Sequence, residues 1–277
     1  MNLVRSIILV GSGIAFVLLS ASSGAARDAA QEREPIATDR PGLSFSPITV
    51  PRGAFQIEVG LTQVERVETE DADLQTLQVP VVALRFGATD RFELRAAANL
   101  YNHTQIDTHL GDVGEIDESG GGDLELGLKV HLVESGSSNR PNVSLIGSTL
   151  LPVGDHAFTI HEDRLGFALN GVTGWSLEQV GITIVTGVAW TPVGEDDHVT
   201  NGNFVFLVGR SLSDKTSSYV ETGWFPREDA EGAPVLVGGG IAYLPTPVLQ
   251  IDAFVDAGVT DEATDWTFGV GVSTRFP

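Results

Sequence analysis

Apolar and polar residues alternate along most of the chain after residue 53. Near the C-terminus Leu249, Ile251, Ala253, Val255 and Ala257 are apolar, with Gln250, Asp252 and Asp256 between them. Beyond an acidic turn, Trp266, Phe268, Val270, Val272 and Phe276 alternate with Asp265, Thr267, Ser273 and Arg275. A period of two puts the two sets on opposite faces of a strand. The same pattern sets Phe55, Ile57, Val59 and Leu61 against Gln56, Glu58 and Thr62, and Phe92, Leu94, Ala96 and Ala98 against Glu93, Arg95 and Asn99. Leu124, Leu126, Leu128, Val130 and Leu132 likewise oppose Glu125, Lys129 and His131. Segments 141–153 and 202–213 are apolar on both registers, which leaves their facing open.

Twelve such segments are expected: 53–66, 74–87, 91–103, 121–133, 141–153, 164–177, 180–193, 202–213, 217–226, 234–244, 248–258 and 264–276. Most exceed the mean strand of about 5–6 residues and reach the roughly 9–11 of a tilted membrane strand. Their connections alternate between brief turns and longer loops, as outer-membrane barrels require. Trp190, Trp224 and Trp266 fall at the loop ends, where an aromatic girdle belongs. Trp175, Phe55, Phe92, Tyr243 and Phe276 fall at the turn ends. The fold class is all-β: a transmembrane antiparallel β-barrel of about twelve strands, against the alternative of a secreted sandwich.

Residues 1–26 carry Arg5, an apolar run from Ile7 to Leu19, and the small residues Gly24 and Ala26. This is a cleaved secretory signal, too short for a permanent membrane helix. No later run approaches the roughly 20 apolar residues of a spanning helix. Residues 27–52 form a lead-in with four prolines, Pro35, Pro41, Pro47 and Pro51, each unable to donate to a ladder. The lead-in is either a periplasmic tail or a plug in the lumen, and residues 53–277 are the barrel.

The net charge of −21 argues against a nucleic-acid partner. With no cysteine there is neither a disulfide framework nor a thiolate site. The acids concentrate in the longer loops, among them Glu68, Glu70, Asp71, Asp73, Asp107, Asp112, Asp155, Glu162, Asp196 and Asp229. A solvated acidic rim is the expected result, facing outer-membrane lipids and lipopolysaccharide. The six histidines, His103, His109, His131, His156, His161 and His198, lack paired metal-ligand spacing, so no metal and no cofactor is expected. Ser144 and Ser148 have no accompanying base, which disfavours a barrel phospholipase and any enzyme.

The polar faces point inward, since a charge at the bilayer midplane costs about 2–4 kcal/mol. This assigns Glu58, Glu93, Arg95, Glu125, Lys129, Glu221, Asp252, Asp256 and Arg275 to the lumen as a candidate solute path or a cross-strand salt-bridge network. Small residues such as Gly60, Gly127, Gly187, Gly238 and Gly271 sit among them, and large apolar residues are few, so a dry packed interior is not expected. Arg85 and Arg210 are expected to face outward near the periplasmic ends.

The stretches TDRPGLSFSPITVPRGAFQIEVG, FGATDRFELR, STLLPVGD and GIAYLPTPVLQIDAFVDAGVTDEATDWTFGVGVSTRF, taken together, resemble an outer-membrane transporter family. That family is also labelled as associated with the meta-cleavage pathway of phenol degradation. The resemblance runs from Thr38 to Phe276 and implies a Gram-negative outer-membrane barrel, inserted by the barrel-assembly machinery, with a transport role. Pro277 after Phe276 departs from the usual aromatic terminus. The expected function is passive uptake of small molecules, by the family label aromatic or hydrophobic. A structural or surface-interaction barrel is the alternative.

Overall fold

The structure, a computed structural model, describes residues 34–69, 72–109, 115–135, 140–161 and 163–277. The signal segment 1–26 and the loop acids Glu70, Asp71, Asp112 and Glu162 lie outside the described residues. The strands are β1 (Phe55–Glu68), β2 (Ala72–Gln78), β3 (Val81–Gly87), β4 (Phe92–Asn99), β5 (Asn102–Thr108), β6 (Ile116–Gly120), β7 (Leu124–Val133) and β8 (Asn142–Leu151). They continue with β9 (Gly166–Leu177), β10 (Val180–Val193), β11 (Asp197–Ser211), β12 (Thr216–Trp224), β13 (Val235–Thr246), β14 (Leu249–Gly258) and β15 (Trp266–Phe276).

All pairings within this sheet are antiparallel, and β15 pairs back onto β1 from Phe55↔Phe276 to Arg66↔Trp266. Three crossings are each interrupted once, so that β2 with β3, β4 with β5 and β6 with β7 are halves of single passes. The barrel therefore has twelve strands, as its periodicity predicts. Closure leaves no free edge along the lipid belt, which is the condition for strands to cross a bilayer. The outer face is apolar: Leu61, Leu94, Phe167, Val220, Val237, Ile251 and Val255 are exposed, with Trp190, Trp224 and Trp266 toward the loop end. This is a barrel of the bacterial outer membrane.

Two local irregularities reset the alternation. A bulge between Gly60 and Thr62 turns Thr62 toward lipid opposite Val270 and brings Gln63 and Glu65 inward. The break at Val79–Pro80 shifts the phase between β2 and β3, so Arg85 points into the lumen and is 1% exposed. This corrects the outward placement expected of Arg85: reading 74–87 as one uninterrupted strand carries the wrong parity across the proline. Arg210 is exposed, as expected.

The expected loop 104–120 also differs. It holds most of β5 and all of β6, which extend the β2 ladder as a hairpin toward the loop end. Its residues Thr104, Gln105, Asp107, Glu118 and Ser119 are polar on both faces, so they carry no lipid-facing signature. The far side of β6 is bordered by residues 154–160, with Gly121 N donating to Asp155 Oδ2 at 2.7 Å and Ile160 N donating to Asp123 Oδ2 at 2.8 Å.

The two segments apolar on both registers, β8 and β11, contribute Ile146 and Val205 to a packed inner wall that β9 and β10 complete with Val172 and Val185. Ile146, Val172, Val185 and Val205 all face inward and are almost wholly buried, with Leu43, Phe45 and Phe225 packed against them. At this level the interior is filled, contrary to the expectation drawn from the scarcity of large apolar residues. The filler is not another strand but the lead-in.

Candidate functional site

Residues 34–52 run inside the barrel, entering from the end of the short turns. Four prolines deny this stretch a regular ladder, so its backbone groups must find partners among wall side chains. Asp39 N donates to Glu58 Oε2 at 3.0 Å, Arg40 N donates to the same oxygen at 3.0 Å, and Leu43 N donates to Glu221 Oε1 at 3.0 Å. Val50 N donates to Glu93 Oε2 at 2.8 Å. In return, lead-in carbonyls accept from the wall: Ala37 O from Gln56 Nε2 and Arg85 Nη1, Ser46 O from Lys129 Nζ, and Pro47 O from Ser144 Oγ.

One face of the lead-in meets a charge-balanced cluster. Arg85 Nη1 lies 2.7 Å from Glu58 Oε1, and Arg85 Nε lies 2.8 Å from Glu93 Oε1. Arg95 bridges Glu93 Oε1 at 2.9 Å and Asp39 Oδ2 at 2.5 Å. Lys129 Nζ reaches Asp39 Oδ1 at 3.3 Å. Three cations from the wall thus meet two wall carboxylates and one from the lead-in, Asp39. Burial of Asp39 disfavours its charge, but Arg85, Arg95 and Lys129 together outweigh this and hold its carboxyl far below the usual range. Taking away Asp39 alone would leave the wall with an excess positive charge in a dry setting.

Further round the wall, Arg40 Nη2 donates to Asp252 Oδ1 at 3.1 Å and lies 5.9 Å from the Phe254 ring centroid. Gln250 Nε2 donates to Arg40 O at 3.1 Å. Room for Arg40 comes from Gly60 and Gly271, where an added Cβ would stand 2.7 and 2.5 Å from its guanidinium. Gly42 has φ +95°, and a Cβ there would lie 2.1 Å from Glu221 Oε1. Arg275 Nη2 donates to Glu34 O at 2.7 Å, where the lead-in enters.

Of the residues assigned to the lumen from sequence, Glu58, Glu93, Arg95, Lys129, Glu221, Asp252 and Arg275 all touch the lead-in or its ion pairs. Asp256 is buried beside Gly238, and Glu125 lines a separate cavity of about 350 Å³ with Ala97, Asn99 and Asn102. Sequence reasoning missed Asp39, Arg40, Arg85 and Gln250. Only the charged pair Asp39–Arg40 inside the proline-rich and otherwise uncharged stretch 35–51 hints at a docking role for the lead-in.

The lead-in divides the interior. On the short-turn side, a cavity of about 400 Å³ lies between Thr38–Pro41 and Thr183, Leu207 and Tyr219. On the loop side, a second of about 350 Å³ is lined by Asn170, Asn203 and Phe225. Among the described residues no cluster of metal-ligating side chains is present.

A family signature described as "Putative MetA-pathway of phenol degradation" matches residues 38–276. A sequence search finds no match among curated proteins. Among solved structures, the chain is similar to an outer membrane channel from Pseudomonas putida F1, with a TM-score of 0.67 and 15% identity over 86% of this chain and 99% of that one. It is also similar to the transport unit of the autotransporter AIDA-I from Escherichia coli, with a TM-score of 0.52 and 10% identity over 81% and 90% of the two chains. The Bordetella autotransporter BrkA β domain gives a TM-score of 0.51 and 13% identity over 80% and 98%. These similarities show a shared barrel fold.

Proposed function

The chain belongs to that phenol-degradation family, and we propose that it is an outer-membrane channel for passive passage of small molecules, with residues 34–52 as a plug whose displacement opens the path. One observation carries this reading: the barrel's width is occupied largely by a segment that is covalently joined to the wall through residue 54 and is otherwise held by hydrogen bonds, ion pairs and apolar packing, rather than by the wall's own side chains alone. A barrel built only for structure fills its bore with inward side chains. Here Gly60, Gly174 and Gly271 instead clear space for Arg40 and Pro47 of the lead-in. Cavities stand on both sides of that segment.

The candidate path runs past Glu58, Glu93, Arg95, Lys129, Glu221, Asp252 and Arg275 once the lead-in withdraws, with Glu125 and Asp256 on its loop side. The family description favours aromatic or hydrophobic solutes. The test compares bilayer conductance of the refolded mature protein with that of a variant lacking residues 27–50. A rise in conductance on deletion supports the reading, and equal currents sink it.

The closed ion-pair cluster around Asp39 favours a second reading, in which the lead-in is a permanent fastening of a structural barrel. A deletion variant that stays silent and unfolds more readily would support that reading instead.

A further inference from the structure

On the loop side of the lead-in, β9, β10 and β11 place two amides on one row of the wall. Gly187 pairs with Asn170 on one side and Asn203 on the other. A Cβ at Gly187 would stand 2.1 Å from Asn170 Oδ1 and 2.4 Å from Asn203 Oδ1, so the glycine lets the two side chains meet across it. Asn203 Nδ2 donates to Asn170 Oδ1 at 2.9 Å. That single bond uses one donor and one acceptor of the pair. The Asn170 amide N–H groups and the Asn203 carbonyl oxygen remain to serve a guest.

The cavity these amides line has about 350 Å³ and is otherwise mostly apolar, walled by Ala168, Ala189, Phe225 and Pro234, with Asn201 and Arg227 as its other polar residues. About 150 Å³ is enough to hold benzene. Asn201 is already engaged with Thr191 Oγ1 at 2.9 Å, and Arg227 is held by both oxygens of Asp229, at 3.0 and 2.9 Å. Asp229 thus offsets the charge of Arg227, and Glu228 and Glu231 in the same loop add negative charge that disfavours a carboxylate guest.

The geometry points to a binding site for a neutral single-ring solute whose polar end both donates and accepts a hydrogen bond, as a primary aromatic amide does. The polar end pairs with Asn170 and Asn203, and the ring lies among Phe225, Ala168 and Ala189. The inference rests on the channel reading, for which it names a solute class and a resting place above the plug.

The test uses 4-fluorobenzamide as probe, followed by fluorine NMR line broadening with the refolded mature protein in micelles. The native protein should broaden the line saturably, and excess benzamide should reverse it. An Asn170→Leu/Asn203→Leu variant should bind at least tenfold more weakly, and 4-fluorobenzoate should give no displaceable broadening with the native protein. Asn170→Ala/Asn203→Ala serves where the leucine pair fails the heat-modifiable mobility test of folding. Undiminished binding by a folded variant, or broadening no greater than in empty micelles, would overturn the site. Conductance is read separately, with and without residues 27–50: binding by a barrel that is silent in both forms sinks the channel and keeps the site, and a barrel that conducts after the deletion but does not bind the probe does the reverse.

Discussion

Arg40 Nη2 donates to Asp252 Oδ1 at 3.1 Å although the two residues lie 212 positions apart. Their neighbours extend the contact in both directions, Asp39 to the Arg85–Arg95–Lys129 cluster and Leu43 to the apolar wall. The lead-in is therefore held on two unlike faces at once, charged on β1, β3, β4, β7 and β14 and apolar on β8–β11.

Gly42→Ala should unseat the lead-in. A non-glycine residue at φ +95° costs about 1–2 kcal/mol in backbone sterics, and its Cβ would strike the Glu221 carboxylate. The expected result is a conductance approaching that of the deletion variant, with the barrel's heat-modifiable mobility unchanged.

Asp39 gives the seating its acid dependence. Its carboxyl titrates lower docked than free, so the undocked state takes up protons first. Seating is complete above the ordinary value of about 3.8 and weakens as pH falls below it, by about 1.4 kcal/mol per unit. Currents at pH 7 and pH 5 should agree and rise toward about pH 3, and Asp39→Asn should abolish that rise. A flat profile in the native protein contradicts this.

Arg85→Ala should destabilise the whole barrel by about 3–5 kcal/mol, since it leaves Glu58 and Glu93 buried without their shared cation. Arg85→Lys should recover only part, because an ammonium cannot reproduce the fork that bonds Glu93 through Nε and Nη2. Urea unfolding followed by tryptophan fluorescence measures both.

The acidic loops should make any conductance cation-preferring at low salt. Screening lengths fall from about 30 Å at 0.01 M to about 3 Å at 1 M, so the preference should fade over that range. Reversal potentials across a salt gradient check it, and equal permeabilities at low salt would contradict it.

The wall was legible in the sequence because lipid enforces strict alternation: Glu58, Glu93, Lys129, Asp252 and Arg275 all face inward as their parity requires. Arg85 was not, since parity is lost wherever a strand breaks, as at Val79–Pro80. The lead-in's contacts were hidden for a different reason. An irregular segment has no period, and Asp39 and Arg40 find partners from Glu58 to Asp252, distances no local pattern encodes. The inner apolar wall escaped notice because Ile146 and Val205 lie on strands whose lipid face is equally apolar.

The central claim, that residues 34–52 close a bore that is otherwise open, is tested most directly by single-channel recording with and without residues 27–50. The account predicts small or absent steps from the intact mature protein and larger, discrete, cation-preferring steps after deletion. Identical currents from two folded proteins would contradict it.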